Sequence, residues 1–530
     1  MDYSTGKLAF IFIVAVMLSC AGAWVIARRY RSAMRSLMSA PVAATAGVSP
    51  GGIAVGGRLA GDIAAFPPPL PVAAGDNRRA NRRLAAMLIA LSCLMALSSA
   101  ALFLALAIDD PFSFKRLAVL ALVRLWPVIP VLGLMWRWSR MRLLAMLVLW
   151  CLLCFTVMLW RSIEPRPLEL LFFMAGEVGV PMLLVALLCM GDATRAIASW
   201  LLPPLVGLVW ASVIGFDLLA VMVEHRSPWL LSLPSWLGAD MVIAFFALAP
   251  WLIAWWPLKW LGRALARAYV RKQLSELMVL FTAVWAVPLL SHALSSASSL
   301  GLGGLWMLLP LVWIPLAMLL SRSVVRPDGR PPTLLVLRVF QRDAQVQELF
   351  DHVIERWRLT GNTVLIAGTD LADRTLDAED IFTFLDGGLA QRFIHTPADV
   401  APRLAACDLD ADAEGRYRIN EFYCVDATWQ DALDALVQPS DVVLMDLRGF
   451  QAHNAGCRYE LATLAHSQRL ARVVVLTDAL TDRAAAAAAT AGAPPQRFVW
   501  LDISSIGARE RREVLRSLFV AARQRLAPAP

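Results

Sequence analysis

Hydrophobic positions fall along this chain in two regimes. Up to residue 320 the apolar residues come in long, nearly unbroken runs, at 8–27, 84–108, 117–136, 143–160, 170–190, 197–223, 239–258, 277–294 and 303–320. About 20 apolar residues in helical conformation cross a bilayer core, so the runs predict roughly nine transmembrane helices. After Arg330-Pro331-Pro332 the runs shorten and alternate with amphipathic stretches. Strands are predicted at 333–340, 363–367, 419–425, 442–446, 473–477 and 498–501. Runs such as Val442-Val443-Leu444-Met445 and Val473-Val474-Val475-Leu476 are apolar at every position, as in strands covered on both faces of a parallel sheet.

Helices are predicted between those strands. One starts at Asp343 and runs to Trp357, burying Val346, Leu349, Phe350 and Ile354. Thr396-Pro397 is an N-cap followed by proline at the first helical position. Thr428 caps another helix, and a last one over 508–525 buries Val514, Leu515, Leu518 and Phe519. Strand and helix in alternation predict a doubly wound α/β sheet, mainly parallel and flavodoxin-like. The expected architecture is therefore a multi-pass α-helical membrane region followed by an α/β domain. It divides into a first helix and basic flank (1–37), a Gly-, Ala- and Pro-rich linker (38–83), the remaining helices (84–321), a short linker (322–332) and the α/β domain (333–530).

Composition agrees with the membrane assignment. Of the 530 residues 58% are hydrophobic and only 17% charged, against about 25% charged in soluble domains. The net charge of +8 comes from arginines that collect in every second connection, at Arg28, Arg29, Arg78, Arg79, Arg137, Arg140, Arg263, Arg267, Arg322 and Arg326 among others. Such alternation marks the cytoplasmic side, so the basic balance is not read as nucleic-acid binding. It predicts a cell (inner) membrane protein with its N-terminus outside and its C-terminal domain in the cytosol. The first run continues past Cys20 and has its basic cluster after it, which favours an uncleaved helix over a signal peptide. The segment 262–276 has arginines at four-residue spacing, as an amphipathic surface helix or a basic connection would. Lysine is nearly absent beside abundant arginine and alanine, a bias of GC-rich bacterial genomes. Of the eight cysteines, Cys151 and Cys154 have C-x-x-C spacing, but inside an apolar run without a second pair; no metal is expected.

Candidate chemistry falls in two places. Within the apolar runs, Arg124, Glu177 and Asp217 are costly in lipid, so each must pair, snorkel or line a path. Arg124 and Glu177 lie at similar depth in their segments. In the α/β domain, ligands bind at the carboxyl ends of the strands. Those ends carry Arg338 and Arg342, then Gly368, Thr369 and Asp370, then Asp446 and Arg448. Turn-forming and capping roles also account for Gly and Asp at such places. The sharpest stretch runs from Ser440-Asp441 through Asp446-Leu447-Arg448-Gly449 to Asn454-Ala455-Gly456-Cys457-Arg458-Tyr459-Glu460-Leu461. It reads as strand, polar loop and helix, with Glu460 able to point back across the sheet edge. A carboxylate there binds a ribose hydroxyl or steadies an oxocarbenium ion as an N-glycosidic bond breaks. The plain alternative is a surface glutamate in the first turns of a helix, stabilised by its dipole.

This stretch resembles the Toll/interleukin-1 receptor (TIR) domain, in which a Ser-Asp-led apolar strand precedes a Cys-x-x-Glu-Leu helix. Cys457, Glu460 and Leu461 match that motif, while Gly456 and Asp446 replace the family's tryptophan and serine. It is also similar to nucleoside deoxyribosyltransferases, whose Gly-x-x-x-Glu-Leu pattern Gly456, Glu460 and Leu461 match. The resemblance spans residues 440–465. It implies a catalytic Glu460; the polar strand ends Gly368, Thr369, Asp370, Asp446 and Arg448, with Asn454 and Cys457 from the motif stretch, are the candidate ligand contacts. NAD is then a substrate and no resident cofactor is implied. The expected partners are the lipid bilayer, a nucleotide ligand and further copies of the chain. The expected function is a membrane-anchored signalling or effector protein that binds, and in one reading cleaves, a nucleotide such as NAD. A non-catalytic assembly module and a transporter-like protein with a cytosolic regulatory domain are the alternatives.

Overall fold

A computed structural model describes residues 3–39, 69–107, 112–161, 166–191, 193–225, 238–324, 330–339, 343–367, 378–425, 427–468 and 470–524. Contacts divide the chain into two compact units. The helical unit comprises Met1–Arg29, Ala85–Leu320 and Leu376–Phe382; the other comprises Tyr30–Leu84, Ser321–Thr375 and Thr383–Pro530.

The long apolar runs are helices α1 (Tyr3–Ser39), α2 (Ala74–Leu106), α3 (Phe114–Arg124), α4 (Val128–Met135), α5 (Arg140–Arg161), α6 (Pro167–Met174), α7 (Val180–Cys189), α8 (Ser199–Glu224), α9 (Ala239–Val270), α10 (Glu276–Leu300) and α11 (Trp313–Val324). Among the described residues seven helices are long and apolar enough to cross a membrane, fewer than the nine runs suggest. The difference lies in two of the runs. At 170–190 a π-helical turn, Ala175–Gly179, separates α6 from α7, next to Pro181 at the second position of α7. At 303–320 the segment Gly301–Val312 is a 3₁₀ helix containing Pro310. Proline removes a donor and clashes with the preceding turn, and both helix variants are the usual accommodations. The 262–276 segment is no separate helix: α9 runs through it to Val270, and Tyr269 and Leu265 pack with Trp200.

Close approach of α8 and α9 depends on Gly215. A Cβ there would lie 1.8 Å from the carbonyl oxygen of Phe246 and 2.9 Å from Pro250 Cγ. Small residues let helix backbones meet where lipid supplies no hydrophobic drive. Gly215→Ala is therefore expected to push the two helices apart at a cost of about 1–3 kcal/mol. A lowered thermal transition of the detergent-solubilised full chain checks this, and an unchanged one refutes it.

The second unit is built on seven parallel strands, β1 (Thr333–Arg338), β2 (Asn362–Ala367), β3 (Phe393–Ile394), β4 (Ile419–Cys424), β5 (Val442–Asp446), β6 (Val473–Thr477) and β7 (Phe498–Asp502), in the order β3-β4-β2-β1-β5-β6-β7. The six strands expected from the sequence are present, and the two-residue β3 adds an edge. Between and after them lie α12 (Asp343–Leu349), α13 (Glu355–Trp357), α14 (Ala378–Leu385), α15 (Val400–Ala405), α16 (Trp429–Val437), α17 (Ala455–His466), α18 (Arg483–Ala489) and α19 (Ala508–Arg523). The helix expected from Asp343 to Trp357 is interrupted by a π turn at Phe350–Ile354. Thr396 and Asp399 form a full capping box, with Thr396 N–H donating to Asp399 Oδ2 at 2.8 Å. The core on one face joins Leu335 and Leu337, Val443 and Met445, and Val473 and Val475 to Leu433, Leu436, Leu461 and Leu464. On the other side α19 contributes Phe519, stacked on Trp357 at 5.4 Å.

Candidate functional site at the β1–β5 edge

The chain leaves β1 in one direction, building β2, β4 and β3, and later returns to build β5, β6 and β7 on the other side. Strand order thus reverses between β1 and β5, and open parallel sheets bind ligands at the carboxyl ends of such a pair. Register sets Arg338, the last residue of β1, directly beside Asp446, the last of β5. Val339 N–H donates to the Asp446 carbonyl at 3.1 Å, holding the two strand ends together.

The loop after β5 is rigidly made. Arg448 is 1% exposed and grips Asp446 with two parallel bonds, Nε to Oδ1 at 2.9 Å and Nη2 to Oδ2 at 2.7 Å. Its Nη1 donates to Glu348 Oε2 at 2.7 Å and its Nη2 to the Gln345 carbonyl at 3.0 Å. Burial opposes the charge, but hydrogen bonds and attraction from Asp446 and Glu348 outweigh it and hold the guanidinium above its ordinary range. Glu348 Oε1 in turn accepts the Ile506 N–H at 2.7 Å. Gly449 follows with φ +71°, a left-handed conformation suited to glycine, and its N–H donates to Asp478 Oδ1 at 2.8 Å. Asn454, at the N-cap of α17, accepts the Gln451 N–H on its side-chain oxygen at 2.8 Å. Asp446, Arg448 and Asn454 thereby shape the loop that aims α17.

Two residues on the inner face of α17 meet the end of β1. Cys457 is buried, its Sγ 3.8 Å from the Arg338 carbonyl oxygen, and burial pushes its thiol well up, with Glu460 adding to the rise. Glu460, one turn further on, is 3% exposed, and among the described residues its Oε2 has no hydrogen-bond partner. Burial pushes its carboxyl up to about 8, while the Arg338 guanidinium pulls the other way. The alternative of a surface glutamate stabilised by a helix dipole does not hold: Glu460 faces inward, because Leu461 and Leu464 beside it belong to the core and turn that face of α17 to the sheet. Arg338 completes the group. In the sequence it is only one of several polar strand ends, and its signal is that a full charge closes a strand buried at every position.

Gly368, Thr369 and Asp370 lie outside the described residues. In the helical unit, Arg124 is buried, donates to the Ser99 carbonyl and hydroxyl oxygens at 2.6 and 2.8 Å, and lies 4.6 Å from the centre of the Phe103 ring. Asp217 is paired with Lys7. Glu177 lies in the π turn, and its side chain is outside what the structure describes. No group of three or more His, Cys, Asp or Glu side chains suited to a metal occurs among the described residues.

Compared with known proteins, the chain matches no family model, and neither a curated protein nor a solved structure matches it significantly.

Proposed function

We propose that this chain is a membrane-anchored signalling or effector protein, with its N-terminus outside and its α/β unit in the cytosol, and that the α/β unit binds a nucleotide such as NAD at the β1–β5 edge and cleaves its N-glycosidic bond through Glu460. The observation that carries this reading is the buried Glu460 carboxyl with an oxygen left without a hydrogen-bond partner among the described residues, at the switch point of the sheet. An unpaired buried carboxyl costs folding free energy, and such groups are retained where a ligand or a reaction needs them. Ionised, Glu460 stabilises positive charge at the ribose C1′ as the C1′–N bond breaks and its electron pair leaves with neutral nicotinamide. Water then adds to C1′ and gives up a proton. Arg338 beside it favours the ionised form and suits the phosphates of a nucleotide.

Transport draws less support, since Arg124 and Asp217 are each held by separate partners within the helical unit. Assembly without catalysis draws on the edge strand β7, where Trp500 is 42% exposed. The test is nicotinamide release from NAD by the full chain in lipid nanodiscs. Release is expected, rising with pH through about 8 as Glu460 ionises and levelling off above it, and falling at least about 100-fold in Glu460→Gln. A folded wild-type protein that releases nothing, or a Glu460→Gln variant as fast as wild type, overturns the catalytic reading.

A further inference from the structure

We infer that the α/β unit carries a second binding surface, made jointly by the first turns of α2 and by α19, that docks on the headgroups of acidic phospholipids. The two segments meet at one end and share a neighbour, Arg356. Arg523 near the end of α19 donates from Nε to the Val72 carbonyl at 3.0 Å, just ahead of α2. Further along, Asn77 Nδ2 donates to the Arg356 carbonyl at 2.8 Å and Arg356 Nη1 donates to Asn81 Oδ1 at 2.9 Å. Asn77 and Asn81 are four apart, so they form the face of α2 turned to the body of the unit. Arg78, Arg79, Arg82 and Arg83 are exposed around the rest of that helix.

On α19 the buried residues Val514, Leu515, Leu518 and Phe519 face the sheet. Arg512 and Arg516, at helical spacing on the opposite face, are exposed. The fold brings two arginine groups more than 400 residues apart in sequence to one unit, with Val72 and Arg523, 451 positions apart, in direct contact. The crowding is felt underneath: burial and then Arg511 lower the Arg356 guanidinium to about 10, and burial and then Arg512 lower that of Arg511. Asp76 answers Arg79 only at 4.0 Å and well exposed. Cations gathered in this way repel one another, and an anionic surface relieves the repulsion.

The choice of lipid over a soluble anion comes from α2 itself. Its basic turns end at Arg83, and the apolar run that suits a membrane begins at Leu84. A polybasic cluster directly flanking an apolar helix gains roughly 1 kcal/mol per arginine near an acidic leaflet, about a fivefold effect each.

The test uses the full chain in nanodiscs of phosphatidylcholine alone or with phosphatidylglycerol, followed by amide hydrogen exchange of peptides from α19. Exchange is expected to slow at least about fivefold in the acidic discs. High salt should reverse the effect, since roughly 1 M salt shortens the screening length to about 3 Å. Arg512→Glu/Arg516→Glu should abolish the slowing, and Arg512→Lys/Arg516→Lys should keep it. Both pairs are exposed, and an unchanged exchange pattern in phosphatidylcholine shows that they remain folded. Equal exchange in the two lipids overturns the inference. So does equal slowing by inorganic phosphate in phosphatidylcholine discs, which would make the surface a site for soluble anions.

Discussion

Glu460→Gln is expected to stabilise the α/β unit by roughly 3 kcal/mol at pH 7 while removing nicotinamide release. The carboxyl moves from its ordinary 4.5 to about 8 on burial. Between those values the unfolded chain carries a carboxylate and the folded chain an acid, so folding takes up a proton. Stability then falls as pH rises, by about 1.4 kcal/mol per pH unit. Below the unfolded value the penalty is absent, and above the folded value it is complete and constant. Glutamine does not titrate, so the variant should lose this slope over the window from 4.5 to about 8. Urea unfolding of the α/β unit within the full chain, read by proteolysis at several pH values, gives both quantities. A gain in stability with a loss of activity is the signature of a residue kept for function. A variant less stable than wild type would instead mean that Glu460 makes hydrogen bonds the protein depends on.

The sequence shows the sheet more clearly than the site. Strands such as β5 and β6 are buried at every position and apolar at all but the last because both faces are covered, and this pattern survives without any knowledge of neighbours. The apolar runs of the helical unit are legible for the same reason, except where Pro181 and Pro310 break the helical period and a run of apolar residues does not tell one helix type from another. The carboxylate on α17 is visible as a motif, yet its burial is not. Whether Glu460 faces water or the core depends on where α17 packs, and hydrophobic period alone leaves a helix of mixed composition ambiguous. Arg338 shows the other gap. Its place beside Asp446 follows from pairing of strands more than a hundred residues apart, which no local pattern contains. The same holds for Arg448, whose sequence neighbours suggest a ligand contact and whose partners include Glu348, a residue of α12.

That placement sets the second large effect. Arg448→Met leaves the buried Asp446 without its bidentate partner and Glu348 without a cation, and breaking such a group from one side costs about 3–5 kcal/mol. Part of the loss is the orphaned charge, so a double variant Arg448→Met/Asp446→Leu is expected to recover about 1–2 kcal/mol of it, as removal of both members of a buried pair does. Urea unfolding of the wild type, both single variants and the double variant closes the cycle, and the coupling between the two positions should exceed about 1 kcal/mol. Nicotinamide release gives an independent reading of the same residue. If Arg448 acts by holding the loop that aims α17, release should decline in step with the folded fraction. If it contacts the ligand, release should collapse in a variant that remains as stable as wild type, and the assignment of Arg448 to the loop would fail.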